Sequence, residues 1–161
     1  MLGTVANWTP VPDLRAEHLA LWRRLGAEIP QAESQVLIFN TAAHHTTLSW
    51  SLVASRGNDG RWRVEQIGEE TSSLLRIEPR PFRSRWDLTD EQGRDLDRLL
   101  ADPCLSAEPP SAYPLDPPGI GATFWTMDIA TPSLQRSSQA VGIGLGLTGL
   151  VAQTIWKNEN P

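Results

Sequence analysis

Residues 47–65 constrain the fold of this chain more tightly than any other stretch. From Thr47 to Ser55, Leu48, Trp50, Leu52 and Ala54 alternate with Thr47, Ser49, Ser51 and Ser55, and Val53 alone breaks the order. Successive side chains on a strand point to opposite faces, so this run predicts a half-buried strand with one apolar and one mostly hydroxylated face. Arg56-Gly57-Asn58-Asp59-Gly60 then supplies residues that tolerate positive φ, and Arg61-Trp62-Arg63-Val64-Glu65 alternates again. Two such runs joined by a short turn read as an antiparallel hairpin, with Trp50 and Trp62 sharing its core face.

Other elements must pack on that hairpin. Leu14, His18, Leu21, Trp22, Leu25 and Ile29 fall on one helical face, which predicts an amphipathic helix from about Leu14 to Glu28, capped by Asp13 and stopped by Pro30. Val36-Leu37-Ile38-Phe39 suits a buried strand, and Leu74 to Ile77 a further strand at a sheet edge, interrupted by Pro79 and Pro81. Thr89-Asp90-Glu91-Gln92 is a capping-box pattern that opens a helix carrying Leu96, Leu99 and Leu100 inward to about Asp102-Pro103. From Pro103 to Pro118 six of sixteen residues are proline, which predicts an extended surface connection. Thr123 to Ile129 reads as a strand, Gln135 to Ile143 as its partner, and Leu147, Leu150, Val151 and Ile155 as a short closing helix. The expected fold class is α+β: an antiparallel sheet with an N-terminal amphipathic helix, a central helix and a short C-terminal helix. A chain of 161 residues fits one such domain.

Charge and cysteine content narrow the function classes. A net charge of -5 disfavours general affinity for nucleic-acid phosphates or anionic lipid. The single cysteine, Cys104, excludes an intrachain disulfide and a thiolate zinc site, and its place after a helix with no neighbouring base predicts a small buried residue. The opening residues lack a basic start and an apolar stretch, so the chain as written reads as cytoplasmic, with a periplasmic or envelope location open if a signal has been removed. Ser137 to Trp156 carries no charge, yet its glycines, glutamines and hydroxyls make it a poor membrane span and a better buried strand and helix.

Three groups of residues invite a functional reading. Arg76, Arg80, Arg83 and Arg85, interleaved with Phe82 and followed by Trp86, form the best local ligand signal, a basic and aromatic segment suited to an acidic partner or a small anion. The competing reading is internal charge balance against the eight acidic residues between 87 and 116. His44-His45 offers imidazoles for metal or base chemistry, but neighbours on a strand point to opposite faces and no carboxylate lies close in sequence. His18 reads as a core or rim residue. Gly144-Leu145-Gly146-Leu147-Thr148-Gly149 matches a dinucleotide fingerprint in letters only, since just twelve residues follow Gly149. No cofactor or metal is implied.

Leu96 to Glu108, followed by Gly121 to Ile129, resembles a group of uncharacterised small bacterial exported or lipoprotein-type domains. In that group a leucine-rich helix and a proline-rich loop lead into a strand of the form D-G-x-x-W-x-x-E. In this chain Ile120-Gly121 stands for the Asp-Gly and Asp128 for the Glu. The resemblance covers the C-terminal half. It implies an antiparallel α+β fold and an envelope location, and it carries no catalytic residues. The function expected from the sequence is a non-catalytic interaction module that binds a protein partner, of which an immunity or inhibitor protein is one case. The alternative is a small hydrolase or metal-assisted enzyme using His44 or His45.

Overall fold

The computed structural model describes residues 15–42, 46–72, 77–108, 111–112, 123–141 and 146–156. In chain order these form α1 (Arg15–Arg24), β1 (Gln35–Ala42), β2 (Thr46–Arg56), β3 (Trp62–Ser72), β4 (Ile77–Asp87), α2 (Asp90–Leu100), α3 (Pro103–Ala107), β5 (Ser111–Ala112), β6 (Thr123–Ala130), β7 (Gln135–Val141) and α4 (Gly146–Trp156). The strands make one sheet in the order β4-β3-β2-β1-β6-β7-β5. Every pairing is antiparallel except the two-residue match of β5 with β7. The fold is therefore α+β, as its sequence predicts.

The β2–β3 hairpin forms where the alternation places it. Ser55 lies opposite Arg63 and Ala54 opposite Val64, and Gly60 takes a φ of 79° in the turn. The Gly57 N–H donates to the Arg61 carbonyl across 2.8 Å. Trp62 is buried on the same face as Trp50, which is half-buried. Both strands outrun their sequence signal, β3 reaching Ser72.

The hydroxylated face of β2 is not a solvent face. Leu52 and Ala54 join Trp62, Val64, Val36, Ile38, Met127 and Ile129 in a core beneath α2, α3 and α4. Val53 joins Ile67, Leu21 and Trp22 in a second core on the opposite side, beneath α1. The sheet is thus covered on both sides at its centre, which explains why Val53 breaks the alternation. Ser51 is fully buried on that side, where its Oγ accepts the Trp22 indole N–H at 2.5 Å.

Three helical and strand boundaries differ from expectation, each for a local reason. α1 ends before Pro30 is reached. The Gly26 N–H donates to the Arg23 carbonyl and the Ala27 N–H to the Trp22 carbonyl, a Schellman pattern in which Gly26 supplies the required left-handed φ of 65°. Pro79 and Pro81 lie inside β4 rather than interrupting it. An edge strand tolerates proline wherever the missing N–H would have faced away from the sheet. Pro103 begins α3 rather than an extended connection, because at the first helical position its missing N–H has no intrahelical partner to lose. Asp102 caps that turn by accepting the Cys104 N–H at 2.8 Å. Cys104 is exposed, not buried, since Leu105 takes the inward position of so short a helix.

α2 opens with the full capping box. The Thr89 hydroxyl accepts the Gln92 N–H at 3.2 Å while the Gln92 amide oxygen accepts the Thr89 N–H at 2.9 Å. Leu96 and Leu100 are buried and Leu99 packs against the same core. α4 is tied down from a distance: the Glu108 carboxylate accepts the Leu147 N–H, the Thr148 N–H at 3.0 Å and the Thr148 hydroxyl at 2.6 Å. Gly146, with a φ of 67°, lets that carboxylate approach, since a Cβ would collide with it. No helix among the described residues is long and apolar enough to cross a membrane.

Candidate interaction surface

α1 crosses one side of the sheet and is fastened to five strands. Arg15 pairs with Asp128 of β6 at 2.6 Å and donates to Ser137 of β7. His18 packs on Phe39 of β1 with ring centroids 5.5 Å apart. Trp22 bonds to Ser51 of β2, and Arg24 pairs with Glu69 of β3. Burial strips His18 of water and pushes its pKa down to about 4, so it is neutral under α1 near pH 7. It is 1 % exposed. A histidine so placed supports packing and has no access to a substrate.

Beyond α1 no described helix covers the same side of the sheet. A cleft of about 600 Å³ runs from Pro30 across Val53, Ser55 and Glu65 to Arg85 and Asp87 on β4. Strand alternation sets its chemistry. On β3, Arg63 and Glu65 point to this side while Trp62 and Val64 enter the opposite core. On β4, Arg83 and Arg85 both pair with Glu65, Arg85 at 3.2 Å. Two guanidiniums therefore share one carboxylate, and both remain largely exposed, with side-chain exposures of 43 % and 66 %. Arg63 is engaged within its own turn, bonding to Asp59 at 2.5 Å. That hydrogen bond raises the Arg63 pKa further and, with the Arg61 N–H, holds the Asp59 carboxyl below its ordinary range.

The arginine and aromatic segment does not stay together. Phe82 and Trp86 turn to the α2–α4 side. Phe82 lies over Gly68, where a Cβ would collide with its ring, and the Trp86 indole donates to the Ile155 carbonyl at 3.2 Å. Arg80 is exposed opposite Glu70. Arg76, His44 and His45 lie outside the described residues. Among the described residues the partner of Arg83 and Arg85 is Glu65, not an acid of the stretch that follows residue 87. Glu65 lies directly across the ladder from Arg85 and diagonally, on the same face, from Arg83. Acids of α2 pair instead with Arg56 (Asp97, 3.2 Å) and Arg98 (Asp95, 2.8 Å).

Sequence reasoning missed Glu65, Ser55 and Pro30 as parts of this surface. Their signal was available for the strand residues alone: in Arg61-Trp62-Arg63-Val64-Glu65 the charged positions alternate with the core ones. Pro30 reaches the cleft through the chain path after α1, which no local pattern encodes. Among the described residues no group of three His, Cys, Asp or Glu side chains is placed to hold a metal ion.

The fold and this surface define an α+β chain with a charged cleft beside an exposed sheet edge. Compared with known proteins, the chain matches no protein-family model, no curated protein and no solved structure.

Proposed function

We propose that the chain is a non-catalytic interaction module that engages a protein partner through the β3–β4 side of its sheet. The observation that carries this reading is the pair of exposed arginines, Arg83 and Arg85, sharing the single carboxylate of Glu65, with Arg85 and Glu65 lining an open cleft. Guanidiniums at a rim with unspent donors recognise carboxylates bidentately and favour partner selection over chemistry. The cleft mixes the apolar floor of Val53 and Pro30 with charged walls, the composition of a contact surface rather than of a dry reaction site. His18, the described histidine, is spent on packing under α1. Neutralising or regulating a protein is one form that such binding takes.

The test is a pull-down from native lysate with wild-type chain beside an Arg83→Ala/Arg85→Ala variant of equal Tm. A stoichiometric protein lost in the variant supports the reading and its location. A partner held equally by both forms refutes the location, and no stoichiometric partner for either refutes the module.

A further inference from the structure

The backbone of β4 carries an inference that deepens this reading and rests on it. β4 is the outermost strand of the sheet, and among the described residues no strand pairs with its outer side. The Leu88 N–H donates to the Trp62 carbonyl at 3.0 Å, just past the pair Asp87 and Arg63. Hydrogen-bonded and non-bonded pairs alternate along an antiparallel ladder. The even-numbered residues Trp86, Ser84 and Phe82 therefore bond inward to β3, and Asp87, Arg85, Arg83 and Pro81 turn their backbone outward. Pro81 has no N–H to offer there, and Pro79 sits beside the register shift between Glu70 and Ser72. Proline thus blunts the first half of the edge in the way that guards against strand addition. The second half, Arg83 to Asp87, keeps three outward N–H groups on exposed residues.

We propose that Arg83–Asp87 accepts an antiparallel strand from a partner whose residues opposite Arg83 and Arg85 are Asp or Glu and whose residue opposite Asp87 is not acidic. Residues of the incoming strand opposite Arg83 and Arg85 project to the α1 side, where one carboxylate now serves two guanidiniums. Acidic side chains at those positions complete the charge balance. The residue between them faces the α2–α4 side opposite Ser84, flanked by the half-buried Phe82 and Trp86, and is apolar. The recognised pattern is acid, apolar, acid in extended form, a strand-addition mode in which backbone bonds hold and side chains select. A second copy of this chain is a poor occupant. Antiparallel self-pairing centred on Arg83, Ser84 or Arg85 sets at least one arginine opposite another, and like charges directly opposite destabilise a ladder. The register centred on Trp86 sets Arg85 opposite Asp87 but spans only three residues before the chain leaves the strand at Leu88.

The experiment uses fluorescence anisotropy with the full chain and three capped peptides. One is an extended Val/Thr peptide with Glu at two alternate positions only, one has Lys at those two positions, and one is the Glu peptide N-methylated at alternate residues. The expected result is binding of the Glu peptide over the other two. Asp87→Pro removes one outward N–H without touching the β3 ladder, and it weakens binding about tenfold relative to Asp87→Ala. Arg83→Glu/Arg85→Glu transfers the preference to the Lys peptide. Equal binding of Glu and Lys peptides, equal binding of the N-methylated peptide, or equal affinity for Asp87→Pro and Asp87→Ala overturns the proposal. Concentration-dependent dimerisation in sedimentation, abolished by Asp87→Pro, overturns it in favour of a second copy. A pull-down partner lost in the arginine variant but retained by Asp87→Pro leaves the module reading standing and removes strand addition.

Discussion

Acidification from about pH 8 to about pH 5 removes stability through His18, and the amount follows from its burial. The imidazole titrates near 6.5 when unfolded and near 4 under α1, where burial disfavours the charged form. Between those values the unfolded chain binds a proton that the folded chain refuses, so stability rises with pH and is complete above about 6.5. At about pH 5 the linkage costs about 2 kcal/mol, and below pH 4 it approaches about 3 kcal/mol. Urea denaturation of wild type and His18→Leu at matched pH values isolates this residue, because His44 and His45 are common to both proteins. The stability difference between the two should shift by about 2 kcal/mol across that range, with wild type losing more. A difference that stays flat from pH 8 to pH 5 would falsify the assignment of His18 as a neutral packed residue.

Three further outcomes test the packing around the site. Gly68→Ala drives a methyl into the Phe82 ring and to 2.8 Å from the Ser49 carbonyl oxygen; it should cost about 1–3 kcal/mol in thermal or urea unfolding, and adding Phe82→Ala should not restore wild-type stability. Trp22→Phe leaves the buried Ser51 hydroxyl without its indole donor. It should cost about 1–3 kcal/mol, and Ser51→Ala should be less damaging in that background than in wild type, read by a double-mutant cycle. Glu108 is raised by burial, but the bonds from Thr148 and Leu147 and the charge of Arg136 outweigh that and hold its pKa below the ordinary value. Its contribution is therefore present above the unfolded carboxyl pKa and is lost as pH falls through the lowered one. Glu108→Gln should cost about 1 kcal/mol near neutrality and show a shallower loss in acid.

Local grammar made much of this protein legible in its sequence. Period-two alternation from Thr47 to Glu65 specified an antiparallel hairpin, the letters Thr89 to Gln92 specified a helix start, and the i, i+4, i+7 spacing from His18 to Leu25 specified which face of α1 is buried. These features depend on residues a few positions apart, where backbone geometry alone relates them. The arginine segment was legible as a surface signal, but its division was not read: once residues 77–87 are a strand, Arg83 and Arg85 must leave Phe82 and Trp86 on the other side. What only the tertiary structure decided are relations across long separations. Placing α1 over β2 turned Ser51 from a solvent hydroxyl into a buried acceptor, and threading β1 between β2 and β6 put Asp128 beside Arg15. Bringing β3 alongside β4 made Glu65, rather than the acids after residue 87, the partner of both arginines. The reason is physical: a side chain's local pattern fixes the direction in which it points, whereas its partner is whatever the packed sheet and helices place in that direction.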